Sequence, residues 1–218
     1  YLPGRFKRDH DILSTNPEID GVYNALGVNI YDDEEQHRIK YFLTTVKYFI
    51  PPERLFEEMD PVGTSGYFHC DTLTVRRGVF DQVGVFDDKL ELSQDTHMLF
   101  KMAGKLSLVA GVIDKPVAIR GVHTGNRVKD SKKLTYYRFL VFISLLEWGK
   151  TNTLSEQRTR LLWNTLYNVY GKPGYSQNLT IPGIKLRAFY YYIRNGSEFS
   201  SQKLENSKLS VFTRLLKL

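Results

Sequence analysis

The sequence predicts an α/β fold for about the first 125 residues, followed by an α-helical C-terminal region. An alternating, β-rich segment at residues 20–31 follows a short helical pattern. Short strand and helix patterns then alternate up to residue 119, and long helical patterns replace them from residue 134. We find no internal repeat that would indicate a solenoid.

The first elements are a helix and a strand. Residues 5–13 predict a helix, because apolar positions alternate with charged ones and Asn16-Pro17 follows as a stop. Residues 20–31 predict one strand, kinked at Gly27, since glycine weakens a strand interior. The acidic run at 32–35 lacks the glycine and the spaced oxygen ligands of a calcium loop, so we interpret it as a solvated turn.

The middle of the chain alternates short helices and strands, predicted at residues 52–59 (helix), 72–75 (strand), 77–83 (helical turn), 95–103 (helix) and 106–119 (strand, broken at 114–116). We expect Gly84 to end the helical turn. Gly104 should be the C-cap of helix 95–103, because helices often end at a glycine.

The last hundred residues contain four predicted helices, at 134–148, 155–170, 184–193 and 204–218. The final one is amphipathic and basic, so it can either lie on an anionic membrane or pack against the rest of the protein. The longest apolar run, residues 139–146, is far shorter than the roughly 20 residues that a membrane-spanning helix needs.

The charge is divided unevenly. The 218 residues carry a formal net charge of +6. Residues 1–110 hold 18 Asp and Glu against 12 Lys and Arg, whereas residues 111–218 hold 6 against 18. Such a basic half indicates an anionic partner: phosphate groups, nucleic acid or an acidic membrane. The one cysteine, Cys70, excludes an internal disulfide framework and favours a reducing compartment.

Two polar residues stand where chemistry is plausible. Asp95 begins an apolar helix, so it is either a rigidly held general base or an N-cap. His123 follows the last predicted strand beside glycine and asparagine, so it either ligates a metal or phosphate or is an ordinary surface histidine. The other four histidines have no metal-ligand spacing among themselves.

Weaker signals surround them. The loop Gly63, Thr64, Ser65 and Gly66 is typical of phosphate- or sugar-binding loops and equally of ordinary turns. Arg76 and Arg77 can pair with an anion or remain solvated. Tyrosines interleaved with bases near residues 136 and 190 fall on predicted helices, where such stripes usually pack in the core. We therefore predict no nucleic-acid binding.

Several motifs, which follow one another in the family's order, resemble the acceptor-side half of family-2 glycosyltransferases. Residues 73–87 match the pattern v-R-R-x-x-F-x-x-V-G-x-F-D, and residues 94–103 match E-D-x-x-L-x-x-K/R, with Gln94 in place of the acid. Arg120, His123 and Asn126 match R-x-x-H-x-x-N. Residues 1–6 and 16–23 resemble the stretch that follows the family's Asp-x-Asp motif. The resemblance covers residues 1–127.

The resemblance implies a partial GT-A fold, a Rossmann-like α/β sandwich, over residues 1–127, with residues 128–218 as a helical extension. It implies a nucleotide-sugar donor and a divalent cation, Mn or Mg. Asp95 would be the catalytic base, and His123 would contact the metal or the diphosphate. The substrate-binding residues would be those of loop 63–66 together with Arg76, Arg77, Arg120 and Asn126.

We therefore expect part of an inverting glycosyltransferase that acts on a glycan or lipid-linked acceptor in bacterial surface polysaccharide synthesis. It would be cytoplasmic, with the basic helical tail contacting the inner face of the plasma membrane. The nucleotide-binding half and the Asp-x-Asp motif are expected before Tyr1, so the 218-residue chain alone should not transfer sugar. The alternative is a non-catalytic binding module, in which Asp95 and His123 are structural and the basic helices dock to a membrane or a protein.

Overall fold

The chain has a mixed α/β architecture in the computed structural model, which describes residues 1–32, 37–123 and 131–170. Its elements, in chain order, are α1 (Arg5–Thr15), β1 (Gly21–Tyr23), β2 (Ala25–Tyr31), β3 (Arg38–Thr44), α2 (Pro52–Glu58), a 3-10 turn (Cys70–Thr72), β4 (Leu73–Val75), α3 (Val79–Val83), α4 (Gln94–Lys105), β5 (Leu108–Ala110), β6 (Pro116–Val122), α5 (Ser131–Thr151) and α6 (Glu156–Tyr170). The predicted helices at residues 184–193 and 204–218 lie outside the described residues.

The strands form two small mixed sheets. In the first, β1 lies between antiparallel β4 and parallel β5. In the second, β2 lies between antiparallel β3 and parallel β6. Because β1 and β2 are consecutive in the chain, the polypeptide passes from the centre of one sheet to the centre of the other within one residue.

The prediction of one strand at residues 20–31, kinked at Gly27, is wrong. The segment forms two strands, β1 and β2, which are separated at Asn24. The buried Asn24 side chain accepts a hydrogen bond from the Val112 backbone N–H at 2.8 Å and donates to the carboxylate of Asp9 at 3.2 Å. Gly27 lies inside β2, where a Cβ would come within 2.6 Å of Ile119 Cδ1. The glycine therefore allows close packing on β6 and does not kink the strand.

The strand predicted at 106–119, with a break at 114–116, is two strands, β5 and β6, separated by residues 111–115. β5 joins the first sheet and β6 joins the second, and the chain leaves one for the other across residues 111–115. β3 is an additional strand, which the sequence reasoning did not predict. It forms an edge of the second sheet, and its first five residues are exposed. Ile39, Tyr41 and Leu43 alternate with Arg38 and Lys40, so the period-two signal of a strand was present in the sequence and was overlooked.

Helix α4 forms the centre of the helical layer. It buries seven consecutive residues, from His97 to Ala103, and packs against α2, α3 and α5. The rings of Phe56 in α2 and Phe100 in α4 meet edge-to-face, with their centroids 5.3 Å apart. Burial lowers the pKa of His97 to about 4, helped by the charge of Lys101, so this histidine is neutral at pH 7.

Gly104 is not the C-cap of α4, contrary to the prediction. The helix continues to Lys105, and Leu106 is the C-cap, with its backbone N–H bonded to the Met102 carbonyl. A Cβ on Gly104 would lie 3.3 Å from the Phe56 ring. The glycine therefore makes room for α2 and does not end the helix.

A buried polar network fastens α1 to the first sheet. Asp9 is fully buried, accepts a hydrogen bond from Thr74 Oγ1 at 2.6 Å, and lies 3.7 Å from Nε of the buried Arg5. The Arg5 guanidinium donates to the carbonyls of Asp71 and Leu73. One helix thus holds both the start of β4 and the turn before it.

Helices α5 and α6 pack onto the α/β elements. Trp148 Nε1 in α5 donates to the Val83 carbonyl at 3.2 Å, and Arg158 in α6 bonds Glu57 Oε1 and the Gly104 carbonyl at 2.6 and 2.7 Å. The chain divides into two compact units, of which the first spans Tyr1–Thr165 and the second begins at Leu166. Within the described residues, no helix is long and apolar enough to cross a membrane.

Candidate functional site

The site forms where the 3-10 turn before β4 lies between the second sheet and the start of α4. The 3-10 turn before β4 packs against β2 and β6 of the second sheet. This contact brings His69, at the N-cap position of the turn, next to Arg120 in β6. Asp95, in the first turn of α4, approaches the same ring nitrogen of His69 as Arg120 does.

Asp95 is a half-exposed carboxylate on a rigid support. The N-cap position of α4 belongs to Ser93, so the N-cap interpretation of Asp95 does not apply. Its Oδ1 accepts a hydrogen bond from the Thr96 backbone N–H at 2.8 Å, and its Oδ2 faces the site. Its side chain is 42% exposed. The carboxylate is therefore oriented by the helix and still accessible to a ligand.

His69 lies between two carboxylates and a guanidinium. Its Nε2 is 3.0 Å from Nη1 of Arg120 and 3.7 Å from Oδ2 of Asp95. On the other side of the ring, Nδ1 is 3.1 Å from Oδ2 of Asp71. The imidazole therefore joins residues that lie far apart in the sequence.

The thiol of Cys70, the residue that follows His69, is a poor nucleophile. Burial raises its pKa to about 12, and the negative charges of Asp95 and Asp71 add to the effect. A thiol nucleophile needs a lowered pKa, so this arrangement does not favour covalent catalysis by Cys70. The reactive groups here are carboxylate, imidazole and guanidinium.

The loop at 63–66 is held by hydrogen bonds to the end of α2 and to residues 47 and 48. Ser65 is buried, its Oγ lies 3.0 Å from the Tyr48 hydroxyl, and its N–H donates to the Glu58 carbonyl. A Cβ on Gly63 would come within 2.1 Å of the Glu58 carbonyl oxygen. Thr64 remains exposed, and its carbonyl accepts from Lys47 Nζ at 2.6 Å. The predicted contact of this loop with substrate stays a prediction.

Gly66→Ala should lower the melting temperature by several degrees. Gly66 has φ +82°, and an added Cβ would lie 2.3 Å from the Thr45 carbonyl oxygen. A non-glycine residue in that region costs about 1–3 kcal/mol before any clash. For a chain of this size, about 1 kcal/mol corresponds to about 2–4 °C. Differential scanning calorimetry measures the change.

Gly78→Ala is the matched control, because a Cβ there meets nothing within 4 Å and φ is −65°. Its melting temperature should equal that of the wild type. Equal melting temperatures for the two variants would contradict the steric argument.

Arg76 has a structural role. Its Nε donates to the Ile19 carbonyl at 2.8 Å, and its Nη2 donates to the carbonyls of Leu13 and Asn16, at the end of α1. The guanidinium is thus occupied by three backbone oxygens and supports the C-terminus of that helix. Arg77 is exposed at the turn that leads into α3. Of the two arginines, Arg77 is the one open to an anion.

The third predicted motif is described only in part. Arg120 lies in β6 beside His69, and His123 is exposed just beyond the end of the same strand. Asn126 lies outside the described residues. Among the residues that the structure describes, no three His, Cys, Asp or Glu side chains converge as a metal site would require. Those residues alone do not fit the divalent cation that the resemblance implies.

His69 is the site residue that sequence reasoning missed. A search for metal-ligand spacing passes over it, because its partners come from a different strand and a different helix. The available signal was local: His69 and Asp71 lie within the short segment between Phe68 and Leu73, just before the first resembling segment.

Comparison with protein-family models, with curated proteins and with solved structures finds no match to this chain.

Proposed function

We propose that this chain carries the acceptor-side part of an inverting glycosyltransferase of the family-2 type, built on a GT-A fold. The observation that carries the proposal is the convergence of Asp95 and Arg120 on His69. These two residues belong to separate motifs of the resembling region, and a shared site is what the proposed reaction needs from them.

The chemistry needs a base for the acceptor and a cation for the leaving group. Asp95 takes the proton of an acceptor hydroxyl while the hydroxyl oxygen bonds to C1 of the donor sugar. The bond from C1 to the diphosphate oxygen breaks, the electron pair leaves with the nucleoside diphosphate, and the anomeric configuration inverts. Arg120 supplies positive charge next to this centre, where it stabilises the developing charge of the diphosphate.

The described residues supply no ligand set for the divalent cation that the family uses. In the proposed enzyme, the Mn or Mg ligands lie elsewhere, with His123 as the expected contribution of this chain.

The acceptor is proposed to be a glycan or a lipid-linked glycan of the bacterial surface. Residues 111–218 hold 18 Lys and Arg against 6 Asp and Glu, which favours association with a phospholipid-linked acceptor at the cytoplasmic membrane face. This part of the proposal rests on charge and on the resemblance.

The test is a transfer assay on the product of the full reading frame that contains this chain. The purified protein is incubated with Mn²⁺, a panel of nucleotide sugars and a membrane extract as acceptor. We expect release of nucleoside diphosphate from one donor and a new glycosidic bond of inverted configuration, detected by mass spectrometry and NMR. A folded protein that consumes no donor of the panel would overturn the proposal.

A further inference from the structure

His69 contacts the two groups to which the proposed function assigns the chemistry. Its Nε2 faces both the Arg120 guanidinium, at 3.0 Å, and the Asp95 carboxylate, at 3.7 Å. Its Nδ1 lies 3.2 Å from the Asp71 backbone N–H and 3.1 Å from that residue's carboxylate. Both ring nitrogens therefore face a hydrogen-bond donor, although a neutral imidazole can accept only one hydrogen bond.

The charged donor decides which nitrogen accepts. Arginine can only donate, and a charge-assisted bond is roughly twice as strong as a neutral one. The contact to Arg120 is also the shorter of the two. Nε2 is therefore the acceptor and Nδ1 carries the proton, beside the Asp71 carboxylate, which stabilises that tautomer.

We propose that His69 is a positioning residue: oriented by Asp71, it holds the Arg120 guanidinium beside the Asp95 carboxylate. The imidazole fixes the distance between the Asp95 carboxylate and the Arg120 guanidinium. Because catalysis depends on such geometry, small displacements of these groups are costly. This inference rests on the proposed function for its consequence, but the arrangement itself can be tested without any activity.

A purely structural role for His69 predicts a different set of contacts. In that role, the ring caps the 3-10 turn Cys70–Thr72 by accepting from the Asp71 N–H, so Nδ1 is the acceptor and Nε2 carries the proton. A proton on Nε2 would point toward Arg120 and exclude a hydrogen bond from it. The two roles therefore require opposite tautomers.

The first test reads the tautomer directly. The 218-residue chain is labelled with ¹⁵N-histidine, and His69→Gln assigns its ring signals among the five histidines. We expect the proton on Nδ1 in the wild type, and a clear shift of the Nε2 signal in Arg120→Met. A proton on Nε2, or ring signals that do not respond to Arg120→Met, would overturn the proposal.

The second test uses two substitutions that each keep one end of the ring. Asn ends at the position of Nδ1 and can still cap the turn, whereas Gln reaches the position of Nε2 and can still accept from Arg120. In the active full-length protein, we expect His69→Asn to lower kcat about 10- to 100-fold with a smaller change in KM, and His69→Gln to recover part of the loss. A wild-type kcat for His69→Asn, with the loss confined to His69→Gln, would assign the residue to the turn alone.

The two proposals fail separately. If no donor is transferred but the ring keeps its Nδ1 proton and responds to Arg120→Met, the proposed function is wrong and the arrangement stands. If transfer occurs and His69→Asn matches the wild type, the function stands and the positioning role is wrong.

Discussion

Replacing Asp95 by Asn should lower kcat for sugar transfer by about 10²- to 10⁴-fold, the range that a general base contributes. The amide keeps the shape of the carboxylate, so the bond from the Thr96 N–H and the start of α4 should survive. The amide cannot accept the proton of the acceptor hydroxyl, which the carboxylate of Asp95 can. Donor binding should be nearly unchanged, because the base acts on the acceptor. Steady-state kinetics and calorimetric titration of the nucleoside diphosphate measure the two effects.

Asp88→Asn is the control for lost charge. Asp88 is exposed in the turn that precedes α4, and its removal changes the net charge by the same amount. This variant should turn over like the wild type. Near-normal turnover by Asp95→Asn would mean that Asp95 only supports the first turn of its helix.

Asp9→Ala should lower the free energy of unfolding by about 3–5 kcal/mol, the usual cost of breaking a buried ion pair by removing one partner. The substitution leaves the buried Arg5 without its carboxylate, 3.7 Å away, and removes the acceptor of Thr74 Oγ1 and Asn24 Nδ2. Urea denaturation of the purified chain, followed by circular dichroism, measures the loss.

Asp11→Ala is the matched control on the same helix. Asp11 also pairs with a basic residue one turn away, Lys7, but both side chains are largely exposed. Exposed pairs contribute little, so the urea midpoint should stay close to that of the wild type. Similar midpoints for the Asp9 and Asp11 variants would show that burial of the Arg5–Asp9 pair does not stabilise the fold.

Local patterns allowed the helices to be predicted. The apolar residues of α4 and the end of the first helix near Asn16 are each indicated by a few neighbouring residues, and the structure confirms both helices. The division of residues 20–31 between two sheets was not predictable in this way. It depends on Asn24, whose partners at Asp9 and Val112 lie 15 and 88 residues away. A periodicity of two cannot reveal which sheet a strand joins.

The same distinction applies to the candidate site. Asp95 and Arg120 were found through ordered motifs, and the structure brings both to one imidazole. Arg76 was selected on the same grounds, but its three backbone partners depend on where α1 ends. His69 was missed because a residue between an acid and a base is defined by its neighbours in space. Charge and residue type suggest candidates, whereas only packing separates a site residue from a structural one.

The double role of Asp71 bears on how this site can be exchanged between proteins. Its carbonyl is held by Arg5 of the first helix, and its carboxylate lies beside the His69 ring. A chimera that transplants only residues 69–95 would separate the graft from the arginine that orients it. The smallest portable module is therefore discontinuous: α1, the segment from His69 to the start of α4, and β6 with Arg120 have to be transferred together.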